Sequence, residues 1–259
     1  MDTFDRRSEI IRLLQDRGRA STRELSERFG VSEVTIRNDL ELLEQQGWLE
    51  RVHGGAAISP RLLAEQPFAV RQQQHVPEKM KLARYAVELL RPGDTILLDS
   101  STTVFELARA IAGLNAGGKR FPLRVVTNNL YAVGLLAACP AIELIILGGV
   151  VRGETGSVVG PFATEMLRSL HADKGFFSAS GLTLTRGFTD ADIREVEMKR
   201  AMLAAASQVY VLLDASKFDQ QSFLSFAPLS AIHHLITEAG IPPEYVTACQ
   251  QFGITLSIV

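Results

Sequence analysis

Apolar residues recur at two different spacings along this chain of 259 residues, and the change of spacing divides it. Up to about residue 57 they fall three or four apart, the period of an amphipathic helix. Ile10, Ile11, Leu13 and Leu14 form a first stripe, ended by Gly18. Ser21-Thr22-Arg23-Glu24 has the form of a capping box, which predicts a second helix with Leu25 and Phe29 turned inward. Gly30 permits a sharp turn, and Ser32 can cap a third helix whose Ile36, Leu40 and Leu43 face the same core. After Gly47, the run Trp48-Leu49-Glu50-Arg51-Val52-His53-Gly54-Gly55-Ala56-Ala57 predicts a strand, a glycine turn and a second strand, with Trp48 in the core. Three helices and such a wing form one small domain.

From residue 78 the pattern is different. Near-continuous apolar runs at 95–98, 123–126, 142–147, 176–179, 209–213, 234–237 and 254–258 alternate with helical segments, two of them near 104–112 and 130–138. Strands without a polar face predict an α/β domain with a mostly parallel sheet covered on both sides. Between the two parts, Pro60, Pro67 and Pro77 and the polar run Arg71-Gln72-Gln73-Gln74 predict a stiff connector. Phe68 and Val70 are expected to dock part of it. The expected domains are therefore 1–57, 58–77 as linker, and 78–259.

Stepping about 100° per residue around the third helix of the head turns Val34, Asn38 and Glu41 away from the core, with Arg37 beside them. A helix, a tight turn and a second helix with outward polar residues is the arrangement that enters a major groove. Asn38 suits an adenine edge, Arg37 a guanine or a phosphate, and Val34 a thymine methyl. Ser32 and Thr35 sit where the helix dipole favours phosphate, and Arg51 and His53 of the wing would lie near the backbone or minor groove. Taken singly, each residue also has an ordinary structural reading.

Charge does not strengthen this. The net charge is −2, and the first 57 residues hold nine arginines, no lysines and eleven acidic residues. A site-specific binder needs only a local positive face. Hydrophobic residues make up 46% and charged residues 22%, and no apolar stretch approaches the roughly 18 to 20 residues that span a bilayer. Residues 1–7 lack the apolar core of a signal peptide, and Cys139 and Cys249 are too few for a disulfide framework or a cysteine zinc site, so the cytoplasm is expected. His233-His234 would point to opposite faces of a strand, and no metal site is expected.

In a parallel sheet, ligands bind beyond the carboxyl ends of the strands. Asp99-Ser100-Ser101-Thr102-Thr103 follows the first strand and opens a helix, an anion pocket or simply a cap. Thr127-Asn128-Asn129, Gly148-Gly149 and Asp214-Ala215-Ser216-Lys217 end later strands, and their convergence favours a pocket. Gly187 and Asp190 are read as a loop able to close over it, and Gly181 as a further residue of the effector site. Asp192 to Glu195 is expected to form a second capping box and Glu195 an ion pair with Lys199, the alternative partner of Lys199 being an anionic ligand. No HExxH, nucleophile elbow or Walker loop is present, so neither a catalytic set nor a cofactor is expected.

Taken together these residues resemble a known family. Arg6, Ile10 and Leu14, then Ser32-Glu33-Val34-Thr35-Ile36-Arg37-Asn38-Asp39-Leu40, then His53-Gly54-Gly55-Ala56 look like the DeoR-type signature. Residues 98–103, 127–129, 147–149, Gly181, 187–190, 199–202 and 214–218 look like its sensor. The resemblance implies a winged head with its helix-turn-helix at about 20–39, and a sensor similar to ribose-5-phosphate isomerase and glucosamine-6-phosphate deaminase. It implies a carbohydrate-operon repressor released from double-stranded operator DNA by a phosphorylated sugar, with the 99–103 loop on the phosphate and Asp214 and Lys217 on the sugar. Ser101 and Ser178 stand where relatives commonly carry glycine, Phe188 where they carry leucine, and Asn38 where they often carry a basic residue. A homodimer or homotetramer would read repeated half-sites. The competing reading is a phosphosugar isomerase or deaminase carrying a DNA-binding domain, which would need an acid–base pair.

Overall fold

A computed structural model describes residues 6–7, 9–10, 13–14, 17–45, 49–58, 66–118 and 120–259. Residues 1–5, Ile11, Gly47, Trp48 and Pro60, each read above, lie outside that set. Contacts divide the chain into two compact units, Met1–Gln66 and Pro67–Val259.

In the first unit, Ile10, Leu13 and Leu14 are helical and buried. A strand β1 (Arg19–Ser21) follows, then helices α1 (Thr22–Phe29) and α2 (Glu33–Gln45) and strands β2 (Leu49–Val52) and β3 (Gly55–Ile58). The capping box forms as the sequence predicts: Ser21 Oγ accepts from the Glu24 amide, and Glu24 accepts from the Ser21 amide. Gly30 closes α1 with φ +65°, a conformation that costs glycine nothing. Leu25, Ile36, Leu40, Leu43 and Leu49 join the first helix in one core. Each such side chain contributes roughly 1.5–3 kcal/mol by leaving water.

The wing has a third strand that the apolar pattern does not reveal, because Arg19-Ala20-Ser21 is short and mostly polar. β3 lies between β1 and β2, antiparallel to both. This explains the Gly54-Gly55 pair. Gly54 turns the hairpin at φ +79°, whereas a Cβ on Gly55 would stand 2.2 Å from the Ala20 carbonyl oxygen. Only hydrogen fits there.

The second unit opens with two helices, α3 (Phe68–Gln72) and α4 (Val76–Glu88). Pro77 therefore stands in the first turn of a helix, where its missing N–H breaks no bond, rather than in extended chain. Phe68 is docked as expected and fully buried, with its ring stacked 4.1 Å from Tyr131 and edge-on to Phe105. Val70 remains exposed, on the opposite side of a short helix.

Seven strands form the central sheet: β4 (Thr95–Leu98), β5 (Leu123–Thr127), β6 (Ile142–Ile146), β9 (Ala172–Phe177), β12 (Ala206–Leu212), β14 (His234–Thr237) and β15 (Thr255–Ile258). Their order is β15-β14-β12-β9-β4-β5-β6, and every pairing is parallel. Alternate residues feed opposite faces. Ile96 and Leu98 pack on one core with α4, α5 (Thr102–Leu114) and α6 (Leu130–Leu136). Leu97 and Phe177 pack on the other with α7 (Pro161–Arg168), α8 (Ile193–Ala204) and α9 (Pro243–Phe252). β9 starts four residues before its apolar run because Lys174 is neutralised by Asp94 and Gly175 admits the Phe177 ring.

Outside the sheet lie a hairpin, β7 (Val150–Arg152) with β8 (Ser157–Val159), and a small antiparallel sheet of β10 (Gly181–Thr183), β11 (Gly187–Asp190) and β13 (Leu224–Ala227). Residues 187–190, expected as a closing loop, are thus a buried strand. Gly187 makes this possible, with φ +69° and a Cβ position only 2.2 Å from the Ala227 carbonyl oxygen. Among the described residues no helix is long and apolar enough to cross a membrane, and no cluster of His, Cys, Asp and Glu could hold a metal.

Candidate functional site

On α2 the inward and outward faces separate as the helical steps predict. Ile36, Leu40 and Leu43 are buried, while Val34 is 62% exposed and Arg37, Asn38 and Glu41 face solvent. Ser32 caps the helix by accepting from the Thr35 amide at 3.1 Å, and its hydroxyl is 2.9 Å from that of Thr35. Arg37 donates to Glu33 at 3.0 Å on the exposed side. In the wing, Arg51 and His53 are exposed, and the Arg51 amide is held by Glu44.

Sequence reasoning missed what fixes the helix. Asp39, next to Asn38, is only 2% exposed and accepts from Arg6 Nε and Arg7 Nε, each at 2.7 Å. Its place one residue from the outward face, with arginines far upstream, gives no local signal.

In the second unit, the carboxyl ends of the strands gather buried polar groups. Asp99, Ser100, Ser101, Thr102 and Thr103 run from β4 into α5, all under one-tenth exposed. Asp99 shapes the loop: Oδ1 accepts from the Ser101 amide and hydroxyl, and Oδ2 accepts from the Ser178 amide at 3.0 Å. Ser101 Oγ accepts from the Val104 amide, so this serine is the cap of α5 and cannot be replaced by glycine without losing that bond. Lys199 sits 3.3 Å from Asp99, pairs with Asp190 at 2.5 Å and donates to the Ser178 carbonyl. Burial opposes its charge, but Asp190 and Asp99 outweigh burial and raise its pKa. The expected pair between Lys199 and Glu195 is replaced by these two carboxylates.

Glu195 does not close a capping box on Asp192 either. Asp192 caps α8 through the Arg194 amide, and Glu195 turns to Ser100, Ser157 and Arg152. The Arg194 side chain, against opposing burial, holds the Asp192 carboxyl down to about 2.

Thr127 Oγ1 donates to the Leu98 carbonyl at 2.7 Å, bringing the end of β5 beside the 99–103 loop. There Asn128 Oδ1 and Asn129 Nδ2 are buried with no hydrogen-bond partner, as is Thr237 Oγ1 at the end of β14. Orphaned polar atoms at one rim are what a polar ligand would satisfy. Asp214 caps the turn Ala215–Lys217 at the end of β12. Two of the glycines admit close backbone: a Cβ on Gly149 would meet the Val159 carbonyl oxygen at 2.5 Å and one on Gly181 that of Gln220 at 2.3 Å, while the Gly148 amide points at Met166 Sδ.

Lys79 is the functional candidate that pattern reading overlooked. It is buried on α4, donates to the Arg71 carbonyl at 2.5 Å, and lies in the field of Lys217, Asp214 and Glu106. Burial, helped by the Lys217 charge, lowers its pKa to about 8. A lysine four residues into an amphipathic helix reads as a solvated charge, so only the fold reveals it. His233 and His234 take separate partners, the Val209 amide and the Ser257 hydroxyl.

A winged head that turns an exposed polar face outward, followed by an α/β unit with a buried polar rim, defines a ligand-responsive DNA-binding regulator. Residues 6–61 match the DeoR-like helix-turn-helix domain and residues 74–239 the DeoR C terminal sensor domain. The chain belongs to the DeoR family of transcriptional regulators. It is similar to the transcriptional regulator IolR of Bacillus subtilis (34% identity, covering 96% of this chain and 97% of that one). It is also similar to the glycerol-3-phosphate regulon repressor of Escherichia coli (31% identity, covering all of both). Among solved structures, ribose 5-phosphate isomerase A of Methanocaldococcus jannaschii matches 54% of this chain and 53% of its own at 18% identity, with a TM-score of 0.40.

Proposed function

We propose that the protein represses a carbohydrate catabolic operon and is released from its operator by a phosphorylated sugar. In this reading residues 1–57 bind DNA, 58–77 connect, and 78–259 sense the effector. Val34, Arg37 and Asn38 meet base edges in the major groove, while Ser32, Thr35, Arg51 and His53 hold the phosphodiester backbone. The 99–103 loop takes the phosphate on free amides at the α5 N-terminus, supported by the positive charge of Lys199. Thr127, Asn128, Gly148, Gly149, Gly181, Asp190, Asp214 and Lys217 line the rest of the effector site, where Gly149 and Gly181 also keep neighbouring backbone close. Two or four copies would present paired heads to repeated half-sites.

The single observation that carries this reading is the outward face of α2, where Val34 and its neighbours have no core to serve. A typical coupling free energy of about 1 to 3 kcal/mol between the sites would change operator affinity by roughly 5- to 150-fold. The test is recovery of genomic fragments bound by the full chain, followed by titration with a panel of sugar phosphates. A chain that retains no fragment at low salt is not an operator binder. Turnover of any sugar phosphate in that panel would favour the enzyme reading.

A further inference from the structure

The carboxylate of Glu195 joins the candidate phosphate loop to a hairpin outside the central sheet. Its Oε2 accepts from Ser100 Oγ at 3.0 Å, and its Oε1 accepts from Arg152 at 2.6 Å and from Ser157 Oγ. Arg152 and Ser157 face each other across β7 and β8, so one buried carboxylate grips both strands. The turn that this pair closes holds the start of the second unit. The Phe68 amide donates to the Glu154 carbonyl at 2.8 Å, in the turn between the two strands. Tyr131, stacked on Phe68, fills the space where a Cβ on Gly156 would sit, 2.1 Å away. Loop, carboxylate, hairpin turn and first helix therefore touch in sequence.

We propose that Glu195 is the positioning residue that converts occupancy of the 99–103 loop into a change at Phe68, where the connector from the DNA-binding head arrives. The proposal rests on the reading of that loop as an anion site. An anion bound there takes the Ser100 hydroxyl hydrogen that Glu195 now accepts. It also sets a second negative charge beside a carboxylate shielded from water, where like charges repel strongly. Glu195 withdraws, Arg152 and Ser157 lose their common acceptor, and the hairpin turn shifts its hold on the Phe68 amide.

The experiment uses the full chain with an operator fragment, and glycerol 3-phosphate, ribose 5-phosphate, fructose 6-phosphate and inorganic phosphate as probes. In the wild type the probe that binds should speed hydrogen exchange at the Phe68 amide about tenfold and weaken operator binding by about 5- to 150-fold. Glu195→Gln should bind the probe at least as tightly, yet lose both responses, with a release ratio below about twofold. Ser157→Ala cuts the β8 arm of the grip, leaving Arg152 on β7, without altering charge at the loop, and should diminish both responses. It decides alone if Glu195→Gln does not fold. A full wild-type release ratio in the folded variants overturns the proposal while leaving the sensor reading intact. A wild type that binds operator but is released by no probe overturns the sensor reading, and this proposal with it.

Discussion

The guanidinium of Arg37 donates a hydrogen bond to the carboxylate of Glu33 at 3.0 Å, one turn back on the solvent side of α2. Both side chains are about half exposed, so the pair contributes only about 0.3–0.5 kcal/mol and yields readily to a stronger acceptor. DNA is such an acceptor. Arg37→Ala should weaken operator binding by about 1–3 kcal/mol. Glu33→Gln removes a negative charge from the solvent-facing turn and should tighten operator binding by ~0.5–1 kcal/mol. Anisotropy titrations against one labelled operator measure both, and equal affinities for all three proteins would contradict the assignment.

A second prediction concerns stability of the head. Asp39 balances Arg6, and Arg6 is itself buried. Asp39→Ala strands a guanidinium away from water, a loss of about 3–5 kcal/mol. Calorimetry should show the transition of the head moving down while the larger unit melts unchanged.

The third prediction follows from Lys79, whose pKa is lowered from 10.5 to about 8. Between those values the unfolded chain keeps a proton that the native state has released, so stability should rise with pH across that window. The rise has a slope of at most about 1.4 kcal/mol per pH unit. Below pH 8 the buried ammonium is a standing penalty, and Lys79→Met should raise the denaturation midpoint there and flatten the rise. An effector phosphate near Lys79 would favour its protonation. Calorimetric titrations near pH 8 in buffers of different ionisation enthalpy should then report proton uptake, and buffer-independent heats would argue against that proximity.

Lys199 supports the fourth. Replacing it by methionine leaves Asp99 and Asp190 buried side by side without their shared cation. The larger unit should lose about 3–5 kcal/mol in urea unfolding, and phosphate affinity should fall with it. A wild-type midpoint would mean that the two carboxylates are balanced by other groups.

The sequence reveals the sheet well, because strands buried on both faces must be apolar throughout: 95–98 and 234–237 are found at their expected bounds. It reveals α1 and α2 through Ser21, Gly30 and the 3.6 period. It is silent where long-range partners decide. β1 exists because Gly55 lets β3 approach Ala20, and β11 exists because Gly187 accepts a left-handed turn. The rim was legible as a set of strand ends, but not the division of labour within it. Asp99 and Ser101 build the loop, Gly149 and Gly181 close backbones together, and Lys79 enters from a helix whose own pattern says nothing of its surroundings.

A sheet in which all seven strands run the same way delivers every strand terminus to a common edge, resting on two apolar slabs that need no knowledge of the guest. Groups there that also cap or brace the scaffold, such as Ser101 and Thr127, are not free to vary, whereas an unpartnered atom such as Thr237 Oγ1 leaves room to retune which metabolite is welcomed.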